Sequence, residues 1–233
     1  MQPNQQGGIK LSGFGYEGNY NDDILQTWIG IGSQLDGLGH LGENGQYYNC
    51  LDEKEISVIT GLTKLGTHAV PPLVGRGVVL DMAAHAGVDV MAAGQSFGST
   101  EIKEAAEAQG VTLGEGDIIL FHTGWTEGMF ESDPAAWGAA EPGLTNEGAV
   151  YLASLNPMAV GADTWGLDAI PPAEGDKVFY GHVTLLKDNG IYILETMNVG
   201  PLVREGVNEF MFVLGQARIQ GTVQAMINPV ALY

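Results

Sequence analysis

Short apolar runs broken by glycine dominate this chain: Gly77–Met82 (GVVLDM), Asp117–Phe121 (DIILF), Ala159–Ala162 (AVGA), Ile191–Leu194 (IYIL) and Phe210–Leu214 (FMFVL). Runs this short, with little polar alternation, read as strands buried on both faces. Two segments carry helix signals instead. Ser99–Gln109 opens on a Ser/Thr cap ahead of Glu101 and Glu104, has an alanine-rich interior and stops at Gly110. Asn146–Leu155 follows a Pro-Gly-Leu-Thr turn with Thr145 placed to cap it. Strands outnumber helices, and several are not followed by one. The pattern therefore predicts an α/β chain with a mixed sheet or barrel, not a doubly wound fold.

Composition narrows the class. The chain has 233 residues with 45% hydrophobic and 16% charged positions, enough apolar material for one sizeable core. Its 35 glycines follow no period, which excludes collagen-like and solenoid readings. No apolar stretch is long enough to span a bilayer, and the opening residues lack a basic segment followed by an apolar one, so the expected compartment is the cytoplasm. Cys50 is the single cysteine, so an internal disulfide or a cysteine-rich zinc site is excluded. With 9 Lys+Arg against 28 Asp+Glu, the net charge of −19 repels nucleic-acid phosphates and anionic membranes. Neither is an expected partner. A small-molecule substrate is.

Two groups of polar residues could carry chemistry. In the run Gly32–His40, Gln34 and Asp36 are two apart, so an extended segment turns both to one side. His40 follows across two glycines that let the backbone turn. Carboxylate, amide oxygen and imidazole together suit a hard or borderline cation, but the same spacing also describes a glycine-rich turn with an incidental histidine. The second group is His182 and Glu195, separated by an Asp-Asn-Gly turn and the strand Ile191–Leu194. That turn could bring the two together. Glu195 at the end of an apolar strand needs a counter-charge, which a helix N-terminus or an arginine could equally supply.

Other residues have plainer roles. Arg76 opens a hydrophobic strand and is expected to pair with an acid such as Asp81 or Asp163. His122 and Asp163 stand at strand ends, where open sheets present functional groups. Phe121, Trp125 and Trp165 could form an apolar wall for a planar ring.

Taken in order, SQLDGLGHLG, GLTKLGTHAVPPLVGRGVVLDMA, EAQGVTLGEGDIILFHTGW, PGL, AVGADTWGLDAIPP, HVTLLKDNGIYILE and the tail EFMFVLGQARIQGTVQAMINPVA resemble the cyclase family, which includes kynurenine formamidase, isatin hydrolase and dienelactone-acting relatives. The resemblance runs from about Asp22 to the end. It sets a domain at 22–233 behind an N-terminal segment 1–21 that is shorter than in relatives. It implies a single compact α/β domain with β-barrel-like mixed sheets flanked by helices, working as a homo-oligomer, dimer or tetramer, with walls shared between subunits. A specific symmetric contact would also cover the edge that a short opening segment leaves bare.

The family's metal motif is His-x-Gly-Thr-His-x-Asp-x-x-x-His. Here Gly32, Ser33, Asp36 and His40 take its Gly, Thr, Asp and final His, while Gly30 and Gln34 replace the two leading histidines. His182 and Glu195 match the distal His and Glu, and His122 stands where many relatives have Arg. The resemblance thus implies Zn²⁺ or Mn²⁺ held among Gln34, Asp36, His40, His182 and Glu195. His40 and Glu195 would be catalytic, and Phe121, His122, Trp125, Asp163 and Trp165 would meet the substrate. The implied reaction opens a small cyclic or aryl amide, ester or lactone by a metal-activated water. Two alternatives stand beside it: a metal-dependent lyase or dehydratase in which His40 removes a proton beside a carbonyl, and a non-catalytic small-ligand-binding member of the fold, which the Gly30 and Gln34 replacements favour.

Overall fold

The five apolar runs become the middle of one sheet. The computed structural model describes residues 2–3, 9–11, 15–16, 18–20 and 23–233. Its main strands are β1 (Gln34–Asp36), β2 (Leu73–Asp81), β3 (Ile118–His122), β4 (Ala159–Ala162), β5 (Tyr192–Glu195), β6 (Glu209–Leu214), β7 (Gln224–Met226) and β8 (Val230–Leu232). They form one eight-stranded sheet in the order β7-β1-β5-β4-β3-β2-β6-β8, curled into a half-barrel. The central strands β2, β3, β4 and β5 run parallel. On either flank the pairings β5–β1, β1–β7, β2–β6 and β6–β8 are antiparallel. The edge strands are three residues each, short enough to offer little template for a further strand.

Alternation along the strands explains why they lack polar positions. Ile119, Phe121, Val160, Ala162 and Ile193 face one side, where they pack with Ile102 and Ala105 of α1 (Ser99–Gln109) and Ala149 and Leu152 of α2 (Asn146–Ser154). Ile118, Leu120, Ala159 and Leu194 face the other side, against Phe210, Phe212 and Leu214 of β6. Both faces are covered, as parallel strands require. Each fully buried Ile, Leu or Phe contributes roughly 1.5–3 kcal/mol.

Several local expectations need correction. Helix α1 is preceded by Gly98, not by a hydroxyl cap, and Glu101 accepts the Gly98 N–H at 2.8 Å. Thr145 does cap α2, accepting from the Gly148 N–H at 2.9 Å. Arg76 pairs with Asp117 at 2.9 Å and Glu209 at 2.8 Å, not with Asp81 or Asp163. The sheet register explains the choice. Residue 76 of β2 sits beside the residue preceding Ile118, and Glu209 lies diagonally across β6.

The expected N-terminal segment 1–21 falls partly outside the described residues. Within them, Ile9–Leu11 pairs antiparallel with Gly18–Tyr20, and Gln2–Pro3 with Asp23–Ile24. Among the described residues no helix is long and apolar enough to cross a membrane.

Candidate metal centre and aromatic pocket

Functional side chains gather where β5 ends and β1 begins. Strand β1 presents Gln34 and Asp36 to one side while Leu35 packs into the core on the other. Its register pairs Gln34 with Glu195 and Asp36 with Ile193. Immediately after Asp36 the chain turns, with the His40 N–H donating to the Gly37 carbonyl at 2.9 Å. The glycine at 37 is needed there, since a Cβ would lie 2.8 Å from Thr67 Cγ2. This tight turn swings His40 back, leaving its Nε2 3.7 Å from Asp36 Oδ2.

His182 arrives from the opposite direction. It ends the helical turn Tyr180–His182, which continues as a π-helix over Val183–Asp188 before Gly190, at φ 68°, redirects the chain into β5. The Asp-Asn-Gly segment therefore does bring His182 and Glu195 together, through a helical return and not a hairpin. His182 Nε2 lies 3.2 Å from Glu195 Oε1 and 3.7 Å from Asp36 Oδ2. Its Nδ1–H donates to Asp168 Oδ2 at 2.6 Å, and Asp168 Oδ1 accepts from the Gly181 N–H at 2.8 Å. One carboxylate thus fixes both the backbone and the ring orientation of this histidine.

Asp36, His40 and His182 offer ligand atoms that all lie within 4.8 Å of one another. Asp36 Oδ2, the oxygen shared between them, is buried without a hydrogen-bond partner. Its other oxygen accepts from Gln224 Nε2 at 2.8 Å. Gln34 enters through its amide N–H, which donates to Glu195 Oε2. Burial, reinforced by Glu195, pushes the Asp36 carboxyl up to about 6 despite the two histidines. Burial lowers His40, and the His182 charge adds to this against the pull of Asp36. For His182, burial is outweighed by its hydrogen bonds to Asp168 and Glu195 together with their charges, and its pKa is raised well above the usual imidazole range.

These residues fit a divalent cation. Three carboxylates, Asp36, Glu195 and Asp168, face two imidazoles in a buried region, and one carboxylate oxygen has no donor. The Asp168–His182 pair has the carboxylate–imidazole arrangement that orients metal-ligating histidines. A bound cation would remove the conflict that raises Asp36.

Two residues here were not singled out in the sequence: Asp168 and Glu141. Glu141 is fully buried, accepts the Trp165 N–H at 2.7 Å, and is pushed up to about 9, chiefly by burial with Glu195 adding to it. It is therefore uncharged in the folded protein at neutral pH but ionised once unfolded. A folded value above the ordinary 4.5 means that stability is full below about pH 4.5 and falls as pH rises toward about 9. Glu141→Gln should remove that slope. Each unit of displacement corresponds to about 1.4 kcal/mol, so the variant should melt at least about 3 °C higher at pH 8 and match the parent near pH 4. Thermal melts across this range check it, and parallel slopes for both proteins would contradict it.

A cleft of about 610 Å³ opens beside the cluster, lined by Ile31, Gln34, Thr126, Phe130, Trp137 and Trp165 among others. Gln34 belongs to both cleft and cluster. Of the residues expected to meet the substrate, Trp165 lines this cleft. Trp125 is buried behind the wall, donating its indole N–H to the Trp137 carbonyl at 3.3 Å. Asp163 is occupied by Thr123 and Gly124, accepting both backbone N–H groups at 2.9 and 2.8 Å. Phe121 is buried in the core against Phe97, with ring centroids 4.9 Å apart. His122 faces a different cleft of about 620 Å³, which shares no residue with the cluster. There its ring pairs with Asp81 at 2.9 Å; burial lowers its pKa, but that hydrogen bond and the charges of Asp163, Asp81 and Glu127 together raise it above the ordinary imidazole value. The wall residues Phe130 and Trp137 were missed. Their aromatic spacing in an acidic, glycine-bearing stretch was the available signal.

A curled mixed sheet with a largely buried Asp–His–His group beside an aromatic cleft defines an α/β domain built around a candidate metal centre. The chain belongs to the cyclase family, whose model, described as "Putative cyclase", matches residues 9–169. Among solved structures it is similar to a novel cyclase, at 24% identity and a TM-score of 0.82, covering 97% of this chain and 74% of that one. It is also similar to an isatin hydrolase bound to the product analogue thioisatinate (20% identity, TM-score 0.62, 96% of this chain and 80% of that one). A third likeness is to a potential metal-dependent hydrolase with cyclase activity (18%, 0.56, 95% and 84%). A search of curated proteins gives no match.

Proposed function

We propose that this chain is a metal-dependent hydrolase that opens a small cyclic or aryl amide, ester or lactone. The observation that carries this reading is Asp36 Oδ2, buried and without a donor between the Nε2 atoms of His40 and His182. Asp36 and His182 would hold the ion, with Glu195 beside them and His40 available as a further ligand or as the base. When bound, a Zn²⁺ or Mn²⁺ ion supplies Lewis acidity toward a carbonyl oxygen and toward water.

The remaining work falls to the chain's own groups. His40, partly exposed and with a lowered pKa, is neutral at working pH and can accept a proton from water. The water oxygen bonds to the carbonyl carbon, the C–N or C–O bond breaks, and the proton held at His40 Nε2 passes to the leaving nitrogen or oxygen. Phe130, Trp137 and Trp165 suit a flat ring. Glu195, fixed by Gln34, orients His182. The likeness to an isatin hydrolase supports a ring amide as the first substrate to try.

Isatin in ¹⁸O-labelled water, followed by mass spectrometry, is the direct experiment. The expected product is the ring-opened acid carrying one labelled oxygen. Loss of water or of another neutral group without label uptake would assign a lyase. Full turnover by protein shown by elemental analysis to be ion-free after chelation would end the metal reading.

A further inference from the structure

Gly30 stands out because space, and not backbone conformation, demands a glycine. Its φ lies outside the left-handed region, yet a Cβ there would sit 2.6 Å from Gln224 Oε1 and 2.7 Å from its Cδ and Nε2. The obstruction is the flexible end of one side chain, so the backbone would not have to move. That same amide donates to Asp36 Oδ1 at 2.8 Å, reaching it from β7, where the register places Gln224 directly opposite Asp36. On the neighbouring carboxylate the Gln34 amide likewise takes Glu195 Oε2. Each acid therefore has one oxygen tied by an amide and the other turned toward an imidazole, Asp36 Oδ2 toward both histidines and Glu195 Oε1 toward His182.

We propose that Gln224, admitted by the space at Gly30, is a positioning residue that fixes Asp36 as a one-oxygen ligand and so sets the metal affinity of the site. This rests on the metal-centre reading above. A free carboxylate can rotate between one-oxygen and two-oxygen ligation. The amide removes that freedom, because turning Asp36 to present both oxygens would break a hydrogen bond in a largely buried setting. Hydrogen bonds to metal ligands commonly govern affinity on a scale of about 10- to 100-fold. Gly30 and Gln224 are far apart in sequence but act here as one unit, so their substitutions must not combine independently.

The test measures Zn²⁺ and Mn²⁺ affinity by chelator competition in wild type, Gln224→Ala, Gly30→Ala and the double variant, with apo-protein melting followed in parallel. Gln224→Ala should weaken Zn²⁺ binding by about 10-fold or more. Gly30→Ala should weaken it in the same direction by displacing the amide, with little change in melting. The double variant should bind no worse than Gln224→Ala alone, the mark of a single shared interaction. Wild-type affinity in Gln224→Ala, or effects of the two substitutions that multiply, would overturn this role while leaving the metal centre intact. Wild-type protein that takes up neither ion would overturn the metal reading, and this inference with it.

Discussion

His182→Ala protein should lose its divalent ion and its turnover together. The imidazole is the hub of the cluster, 3.7 Å from Asp36 Oδ2, 3.2 Å from Glu195 Oε1 and 2.6 Å from Asp168 Oδ2. Removing a ligand should exceed the 10- to 100-fold loss typical of changing only its hydrogen-bond partner, so affinity should drop by more than about 100-fold. The fold also suffers. Asp168 and Glu195 each lose the imidazole partner while keeping one neutral donor, Gly181 N–H and the Gln34 amide, and breaking a buried ion pair in this way costs about 3–5 kcal/mol. The melting temperature should fall by roughly 6 °C or more.

Because that loss could obscure the metal result, Asp168→Asn is the companion variant. It keeps the ring and a hydrogen-bonding side chain, and should weaken metal binding by about 10- to 100-fold with a smaller thermal change. Elemental analysis, chelator competition and circular dichroism report the separate effects. A folded His182→Ala protein that binds Zn²⁺ as tightly as wild type would remove His182 from the centre.

The second large effect falls on His40. If its imidazole is the base, His40→Ala should lower kcat by about 100-fold or more, within the range for a positioned acid–base group, while metal content stays near that of wild type. Burial, the main cause of its lowered pKa, sets the sign of the pH dependence. Wild-type activity should fall on the acid side at a pH below the ordinary imidazole range, and the variant should lose that limb. Loss of metal with activity would reassign His40 as a ligand, and unchanged turnover would exclude it from the chemistry.

Much of this architecture is visible in the linear pattern because the central strands are covered on both sides. Their apolar runs needed no alternation, and β4 coincides with the expected Ala159–Ala162. The two-residue spacing of Gln34 and Asp36 carried over directly, since a strand repeats every two residues. What stayed hidden depends on contacts distant in sequence. Asp168 acts on a histidine fourteen positions away, and Glu141 accepts its hydrogen bond from a backbone N–H twenty-four positions away. Local spacing signals neither. Phe121 shows the converse error. As a large aromatic residue near a strand end it suggested a pocket wall, but its side of β3 turns toward α1 and α2 and into the core.

Two indole N–H groups, from Trp125 and Trp165, end on the single carbonyl of Trp137, whose own indole donates to Thr126 Oγ1 at 3.0 Å. Thr126 in turn donates to the carbonyl of Asp163. The cleft wall is thereby braced from behind before any guest arrives. Ordering an adaptable side chain on binding costs about 0.5–1.5 kcal/mol, and these rings have already been ordered by folding. Such a cleft works as a gauge and not as a mould. The outline that Trp137 and Trp165 give the cleft is the one set by folding, and not by whatever occupies it.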